Sequence, residues 1–416
     1  MRPCLVIGYV TVLAAAACGG GSEPAGPPLA AAMDLTIVAH QGDDLRYMQP
    51  DLDPAITGGG GVTTVYVTAG NTEAGAAAAD PDGSGVKAAY ASLVGARRTD
   101  WTCGQIMIAG HAAEHCRLAA AQLSLIFLGY PDGGHDGAAT DSLLQLWEAK
   151  AGKVATASGP DATYDQAGLV ATLAAIIDAT APARLRTLEI AASHGADHSD
   201  HMLTGALAVL ATAAAVVNPA IVAYRGDNAA AEAVNVEAAM LELGTRTFGY
   251  YASCTTGCTA CGTSCPADEL DPSDMALLQR SYSVAMRGSG SGPLKIADQC
   301  VNVAQAGDNG TVGDCTAAPS WDLTPDGSVK NASNGVCLDA ILTGEIVGGT
   351  CGTDGIGGRF FLDADGHLWA GIVPAPAADM SVMHLDCLTQ AGGRPRAVLC
   401  GGPTAPTVDL PGGAPL

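Results

Sequence analysis

The sequence is poor in basic residues, in aromatic residues and in long apolar runs. Only 19 Lys and Arg stand against 42 Asp and Glu, a formal net charge of −23. A general nucleic-acid binder needs a basic face to displace counterions, and docking on anionic lipid headgroups needs basic residues as well. The composition therefore excludes a general nucleic-acid binder and argues against docking on anionic lipid headgroups. Beyond the N-terminus, the longest apolar segment is the Ala-rich run 203–217, which is shorter than a membrane span.

What the sequence does contain favours two folded domains. The chain has 416 residues, and domains typically have about 100–200 residues each. Hydrophobic residues make up 48%, enough for packed cores, so wholesale disorder is excluded. The 54 Gly and 23 Pro are too many for an all-helical protein.

The N-terminus reads as an export signal. Residues 1–18 combine an Arg near the start, an apolar run from Leu5 to Ala17, and then Cys18. Three alanines directly before the cysteine resemble a bacterial lipoprotein processing site, which implies lipidation of Cys18 and anchoring to a membrane in the periplasm or at the cell surface. An ordinary cleaved signal is the alternative. Residues 19–33 are rich in Gly and Pro and are typical of a flexible tether.

The cysteines favour an oxidising compartment. Of the 14 Cys, twelve remain after Cys4 and Cys18 are set aside, which fits six disulfides. Their spacing suggests local couples and one cluster: Cys103 with Cys116, Cys300 with Cys315, Cys337 with Cys351, Cys387 with Cys400, and the cluster Cys254, Cys258, Cys261 and Cys265. Four thiolates in the cluster could instead bind zinc, but exported thiols oxidise, so disulfides are favoured there too.

Residues 34–288 alternate short apolar runs with segments of helical periodicity. Buried strands are predicted at 35–39, 62–69, 123–129, 187–192 and 220–224, and helices at 85–96, 141–150 and 165–180. Strand–helix alternation predicts an α/β domain with a Rossmann-like, mostly parallel sheet and helices on both faces. Such sheets place their sites beyond the carboxyl ends of the strands.

Residues 289–416 have a different sequence pattern, without helical periodicity and with many Gly and Asp-Gly turns. Aligning the three C-terminal Cys couples reveals three copies of roughly 40 residues. Each copy has a local disulfide followed by an aromatic or apolar strand. The prediction is an all-β trefoil domain.

Two clusters of His and Asp directly follow predicted strands. The first is AHQGDD, from Ala39 to Asp44, and the second is SHGADHSDH, from Ser193 to His201. At neighbouring strand ends, a His and an Asp from one loop plus a His from the other would leave a fourth metal position open. That is the arrangement of catalytic zinc.

At these residues the chain resembles the PIG-L/LmbE-like de-N-acetylases. The family's first motif is Ala-His-Pro-Asp-Asp-acidic, and its second, His-Pro-Asp-His, corresponds to HSDH at 198–201. FLGYPDGG at 127–134 and VYVTAG at 65–70 also agree with the family, and the resemblance covers roughly residues 34–285. It implies a zinc-dependent enzyme that removes the acetyl group from N-acetylglucosamine-type sugars.

The resemblance assigns a role to each matching residue. His40, Asp43 and His201 match the zinc ligands. His198 matches the histidine that polarises the carbonyl, and Asp200 matches a carboxylate that orients a neighbouring side chain. The alternative is a set of hydrogen-bonded histidines and carboxylates with a purely structural role.

One position departs from the family pattern. The family's general base is the Asp two residues after the first histidine, and here that position is Gly42. Asp44 is the only nearby carboxylate not assigned to metal, so it is the remaining candidate catalytic base. We therefore predict weak activity, and a gain of about tenfold or more in Gly42→Asp.

Two further patterns carry less weight. His111, Glu114 and His115 fit an inverted zinc-protease motif, but that chemistry needs a helix, whereas this segment is predicted to be a hairpin. The trefoil resembles ricin-type lectins, in which an Asp two residues after the first Cys binds sugar. Only Asp339 keeps that Asp, while Trp321 and Phe360 are predicted to be core.

The sequence thus predicts a zinc deacetylase acting on an N-acetylated amino sugar of a glycan or glycolipid. The alternative is a non-catalytic, carbohydrate-binding surface lipoprotein that keeps metal and sugar contacts without turnover. Gly42 is the feature that separates the two.

Overall fold

The computed structural model describes residues 25–70, 80, 82–190, 194–255, 270–287, 289–351, 358–372, 384–398, 400 and 406–412. The predicted signal segment with Cys4 and Cys18, and the cysteines at 258, 261 and 265, lie outside these residues. Cys254 is disulfide-bonded.

The N-terminal domain is built on a largely parallel sheet, as predicted. Its strands, in chain order, are β1 (Asp34–Val38), β2 (Val62–Thr68), β3 (Thr102–Ile108), β4 (His111–Leu118), β5 (Leu123–Tyr130), β8 (Arg184–Leu188), β9 (Ala220–Tyr224) and β10 (Ser283–Arg287). The spatial order is β10-β9-β8-β1-β2-β5-β4-β3. Strands β9, β8, β1, β2 and β5 run parallel, while β10, β4 and β3 join them antiparallel. A small separate hairpin pairs β6 (Val154–Ala155) with β7 (Thr163–Tyr164).

Helices cover both faces of this sheet. They are α1 (Asp43–Tyr47), α2 (Gln49–Thr57), α3 (Ser84–Leu93), α4 (Leu143–Trp147), α5 (Gln166–Thr180), α6 (Ser199–Ala214), α7 (Ala238–Thr255) and α8 (Pro272–Leu278). One apolar core joins the sheet to α4, α5 and α6, and a second joins it to the other five helices. Among the described helices, none is both long and apolar enough to cross a membrane.

Strand β8 begins at Arg184, three residues before its predicted start at 187. The prediction starts late because the first residues of the strand include two arginines. Arg186 is nevertheless fully buried. Its guanidinium lies 2.6 Å from a carboxylate oxygen of Asp34 and 2.8 Å from one of Asp51. A buried Arg is stable only when its donors are paired in this way, so the ion pairs allow a charged residue to enter the parallel sheet next to β1.

The segment with the inverted protease motif is a hairpin, as predicted. Strands β3 and β4 pair antiparallel and are joined by the disulfide Cys103–Cys116. Because His111 and His115 lie on an extended strand, they cannot present the helical face that the protease motif requires.

The C-terminal region is rich in β-structure. Its strands are β11 (Gly290–Gly292), β12 (Lys295–Ile296), β13 (Gln299–Asn302), β14 (Thr311–Gly313), β15 (Trp321–Leu323), β16 (Val329–Asn331), β17 (Cys337–Ala340), β18 (Ile346–Gly349), β19 (Phe360–Asp363), β20 (Leu368–Ile372), β21 (His384–Ala391), β22 (Arg394–Val398) and β23 (Val408–Asp409). Disulfides join Cys300–Cys315, Cys337–Cys351 and Cys387–Cys400, the couples expected from their spacing. Trp321 and Phe360 are buried, as predicted for these two residues, in one core whose members run from Leu294 to Leu410.

The two regions are joined by backbone pairing. Strand β10, at the edge of the N-terminal sheet, pairs antiparallel with β19, with Met286 opposite Asp363. Through this pair the sheet continues into β20, β21 and β22, giving twelve strands in all.

Asp53 in α2 provides a test of the fold that does not involve the site. Its side chain is buried, and this burial, together with the nearby Asp44, raises its pKa to about 7. The folded state therefore keeps a proton that the unfolded state releases above pH 4, so Asp53 makes stability fall as the pH rises from about 4 to about 7. We expect Asp53→Asn to raise the free energy of unfolding at pH 8 by about 2–4 kcal/mol, with little change at pH 4. Urea unfolding at both pH values measures this. The exposed Asp161→Asn is the control, and an equal gain at both pH values would contradict the prediction.

Candidate metal centre and active site

The two predicted motifs meet at one edge of the sheet. Strands β1 and β8 are parallel neighbours, so their carboxyl ends lie side by side. The chain leaves β1 into the loop that carries His40, and leaves β8 toward the segment that carries His198 and His201. The next parallel strands of the sheet lie on opposite sides of β1, with β2 and β5 on one side and β8 and β9 on the other. The boundary between β1 and β8 is therefore the switch point at which open α/β sheets place their sites.

His40, Asp43 and His201 converge there. One oxygen of Asp43 (Oδ2) lies 3.3 Å from Nδ1 of His40 and 3.5 Å from Nε2 of His201. The same oxygen accepts a hydrogen bond of 2.7 Å from the backbone N–H of His40. Asp43 and His201 are buried, and His40 is only slightly exposed. Two imidazoles and one carboxylate thus surround a small space.

Two buried carboxylates lie behind the cluster, beside His201 and His40. Asp197 accepts a 2.9 Å hydrogen bond from Nδ1 of His201, which leaves Nε2 directed toward Asp43. Asp200 lies with Oδ2 3.6 Å from Nε2 of His40 and accepts a 3.0 Å hydrogen bond from the backbone N–H of Gly133. A hydrogen-bonded carboxylate such as Asp197 fixes the tautomer and ring orientation of a metal-binding histidine, whereas Asp200 makes no hydrogen bond to His40.

His198 has a different protonation pattern from the other two histidines. It caps the N-terminus of α6, and its Nδ1 accepts a 3.1 Å hydrogen bond from the backbone N–H of Asp200. Burial, helped by His40 and His201, lowers the pKa of His198 to about 4, so the ring is neutral at pH 7. Because Nδ1 is an acceptor, the single ring proton is on Nε2. Nε2 lies 3.9 Å from Oδ1 of Asp132.

The donor set and the charges fit a divalent cation. Although burial opposes it, His201 and His40 hold the pKa of Asp43 well below its usual range. Asp43 in turn helps to raise the pKa of His201 to about 9, against the effect of burial. Nε2 of His40 is buried without a hydrogen-bond partner. Two imidazoles with a carboxylate form a common zinc-binding set.

The cluster offers more than one set of ligands. His40, His198 and His201 each present a nitrogen within 4.8 Å of the others. Two further groups share members with it: His40 with Asp132 and Asp200, and His201 with Asp197 and Asp227. The sets have His40 or His201 in common, so one of these two histidines takes part in every arrangement.

A polar cavity of about 300 Å³ opens above the cluster. It is lined by His40, Gln41, Asp43, Arg46, Tyr47, Ala69, Gly70, Asp80, Asp132, His198, His201, Asp227 and Tyr251. Asp132 faces His40 and His198, and its Oδ2 lies 3.5 Å from Nε2 of His40. Burial raises the pKa of the Asp132 carboxyl. Such dense hydrogen-bonding capacity suits a hydroxylated ligand of about one sugar ring.

Asp44, the remaining candidate base, has other partners. Its carboxylate accepts hydrogen bonds of 2.7 Å from Tyr90 and 3.3 Å from Tyr66, and its side chain is fully buried. It is not among the residues that line the polar cavity. Burial, partly offset by Tyr90, raises the pKa of Asp44 to about 7. In this geometry Asp44 holds α1 against β2 and α3 rather than facing the site.

Gly42 is confined by Tyr251 of α7. Its φ is 94°, in the left-handed region, and a Cβ built there would lie 2.7 Å from two ring carbons of Tyr251. The hydroxyl of Tyr251 donates a 2.6 Å hydrogen bond to the carbonyl of Gln41. The space for a side chain at position 42 is therefore occupied, so the expected gain from Gly42→Asp alone does not follow from this geometry.

We expect Gly42→Asp to lower stability by about 1–3 kcal/mol, because both the backbone and the contact with Tyr251 become strained. Gly42→Ala should show a similar loss, since the clash begins at Cβ. The double variant Gly42→Asp/Tyr251→Ala should recover part of the stability and is the variant in which added activity can appear. Thermal unfolding and acetate release measure the two effects. A single Gly42→Asp variant as stable as wild type would contradict this account.

Several site residues do not follow from the sequence reasoning. Asp132, Asp197 and Asp227 lie at the cluster, and Tyr47 and Tyr251 line the cavity. Asp132 stands in the PDGG segment directly after β5, so its position at a strand end is a signal that could have found it. Asp197 stands directly before the second motif, and its place in that His/Asp cluster is the corresponding signal. Tyr251 comes from α7, whose packing the local sequence does not indicate.

Comparison with known proteins supports the first domain only. The model of one protein family, PIG-L, described as GlcNAc-PI de-N-acetylase, matches residues 35–212. No curated protein matches the chain. The matched span contains β1, β8, both motifs and Asp132. By this match, residues 35–212 are similar to the PIG-L de-N-acetylases, which supports a deacetylase-type function for this domain.

Proposed function

We propose that the protein is a zinc-dependent hydrolase that removes the N-acetyl group from N-acetylglucosamine-type sugars of a glycan or glycolipid. The observation that carries this proposal is the convergence of His40, Asp43 and His201 beside the neutral His198 in a polar cavity. The similarity of residues 35–212 to de-N-acetylases supports it.

His40, Asp43 and His201 would hold the zinc. Zinc bound there supplies a Lewis acid that polarises the acetamide carbonyl and lowers the pKa of water. Asp197 keeps the imidazole of His201 oriented, and Asp200 lies beside the imidazole of His40. His198 donates its Nε2–H to the carbonyl oxygen and stabilises the negative charge that develops on it.

A carboxylate must take the proton of the attacking water and return it to the leaving amine. Asp132 is placed for this task, because it lines the cavity and faces both His40 and His198. The water oxygen bonds to the acetyl carbon, the C–N bond breaks, and the proton passes to the amine nitrogen. Acetate and a free amino sugar are the products. Asp44 supports this arrangement from behind α1.

Acetate release by the purified full-length protein tests the proposal. With N-acetylglucosamine oligomers and one equivalent of zinc, we expect turnover, and we expect Asp132→Asn to lower kcat by about 10²–10⁴-fold with zinc content unchanged. The exposed Asp161→Asn lies outside the polar cavity and is the matched control. Full activity in Asp132→Asn would remove Asp132 from this role, and an absence of acetate from every N-acetyl sugar would refute the function.

A carbohydrate-binding protein without turnover is the second candidate. The observation in its favour is Gly42, whose position next to Tyr251 leaves no side chain where the family carries its base. In that case the zinc-loaded protein would bind N-acetylglucosamine oligomers and release no acetate, even with Asp132 intact.

The remaining proposals concern the ends of the chain. Residues 1–18 act as a lipoprotein signal, Cys18 carries the lipid, and the protein is exported and membrane-anchored. The tether predicted at 19–33 is shorter than expected, because Gly26 donates a 2.7 Å backbone hydrogen bond to Gln105 and Ala32 is buried against the N-terminal domain. The four described disulfides are consistent with export.

Residues 289–416 form a ricin-type trefoil in which Asp339, half-buried on β17, accepts hydrogen bonds from sugar. Retention of the protein, but not of Asp339→Ala, on a galactose-type resin would support the lectin role.

A further inference from the structure

A second, larger cavity lies between the N-terminal domain and the C-terminal region. This apolar cleft has a volume of about 810 Å³. Apolar side chains from α4, α6 and the end of β8 form one side, and side chains from β20 and β21 form the other: Leu144, Trp147, Ile190, Met202, Leu203 and Ala206 face Trp369 and Leu385. Both regions therefore contribute walls to the cleft.

The chemistry of the cleft differs from that of the polar cavity. Two of the four tryptophans of the chain line it, one from each region. The indole N–H of Trp369 donates a 3.0 Å hydrogen bond to Asp363, so its polar group is already satisfied. The exposed carboxylates of Asp136 and Glu148 also line the cleft. An apolar interior with acidic groups at its exposed side favours an uncharged hydrocarbon chain over an anion.

The cleft and the polar cavity adjoin at the second motif. His198 lines the polar cavity, while its two sequence neighbours, Asp197 and Ser199, line the apolar cleft. The ring of His135, also in the cleft, is centred 5.5 Å from the ring of His198. The side chain that would hold the amide oxygen therefore stands between a polar compartment and an apolar one.

An amide also has two sides, the amine and the acyl group. If the sugar amine occupies the polar cavity, the group on the carbonyl side extends past His198 toward the cleft. We propose that the cleft binds an aliphatic acyl chain, and that the protein hydrolyses N-acyl amino sugars whose acyl group is longer than acetyl. This inference rests on the proposed amide hydrolysis. Water adds to the acyl carbon, the C–N bond breaks and the nitrogen takes the proton, giving a fatty carboxylate and a free amino sugar.

A series of N-acyl glucosamines tests the chain length. The compounds carry acetyl, butanoyl, hexanoyl and octanoyl groups, and kcat/KM is measured with the zinc-loaded full-length protein. Each fully buried methylene favours binding by about fourfold, so we expect octanoyl to exceed acetyl by at least about tenfold. Equal or falling kcat/KM along the series would overturn the proposal while leaving deacetylation intact.

A variant links the preference to the cleft. Leu144→Trp, at a partly exposed position on α4, should reduce the ratio of octanoyl to acetyl kcat/KM by about tenfold because the larger ring fills the space. Leu342→Trp, at an exposed position outside the cleft, is the matched control and should leave the ratio unchanged. Equal melting temperatures show that both variants are folded. An unchanged ratio in Leu144→Trp would overturn the assignment of the cleft.

Binding gives a readout that does not depend on turnover. With metal-free protein, N-octanoylglucosamine should change the tryptophan fluorescence through Trp147 and Trp369, and N-acetylglucosamine should not. Such binding without any hydrolysis would refute the proposed function but retain the cleft as an acyl site. The octyl glycoside of N-acetylglucosamine distinguishes the other source of a chain: if it binds more tightly than N-octanoylglucosamine, the cleft takes the aglycone and the acyl proposal is overturned.

Discussion

Replacing His201 by alanine is expected to remove the bound zinc and to lower turnover by about 10³-fold or more. Nε2 of His201 lies 3.5 Å from the Asp43 carboxylate, and Asp197 fixes its ring from behind. Removing the imidazole leaves Asp43 and Asp197, two buried carboxylates, without their shared neutralising partner. We therefore expect less than about a tenth of an equivalent of zinc in purified His201→Ala, measured by elemental analysis.

His111→Ala is a suitable control, because His111 lies on β4 against Tyr164, outside the polar cavity. It should retain zinc and activity. Zinc content unaffected by both His201→Ala and His40→Ala would show that the metal is bound elsewhere.

The second large effect is expected at His198. In His198→Ala we expect zinc content to stay near wild type while kcat falls by about 10²–10³-fold, because the lost group is a donor to the carbonyl oxygen. Its Nδ1 is already committed to the backbone of Asp200, so only Nε2 faces the site. The low pKa of His198 means that the donor remains a neutral imidazole above about pH 5.

This variant also distinguishes the two sets of ligands. His40 and His201 are shared, and the third ligand is either Asp43 or His198. Comparing Asp43→Asn with His198→Ala by zinc analysis decides between them. Loss of zinc in His198→Ala together with retention in Asp43→Asn would replace the proposed set with three histidines.

Most of the N-terminal sheet could be predicted from the sequence because its strands are buried on both faces. The apolar runs at 35–39, 62–69 and 220–224 correspond closely to β1, β2 and β9. The predicted start of β8 is too late because Arg184 and Arg186 look like solvent-exposed residues. Only the carboxylates of Asp34 and Asp51, distant in sequence, explain why an arginine is buried there.

Some features of the candidate site could likewise be predicted from the sequence, and others could not. His40, Asp43 and His201 could be predicted because each stands in a short motif that directly follows a strand, or begins the helix after it. The obstruction at Gly42 could not, since it depends on Tyr251, more than two hundred residues away, and on how α7 packs. The partners of Asp44 depend likewise on Tyr66 and Tyr90, which belong to other elements.

The pairing of β10 with β19 has a consequence for any attempt to isolate the N-terminal domain. A fragment ending before β19 would leave the outer edge of β10 with unpaired N–H and C=O groups, in a segment that has no proline and whose single charged residue is Arg287 at its end. Exposed edges of this kind recruit strands from other molecules. Truncation there would therefore favour self-association and insoluble expression, and it would also remove the second wall of the apolar cleft. Production of the N-terminal half as a well-behaved fragment thus requires either the C-terminal strands or a designed replacement for β19.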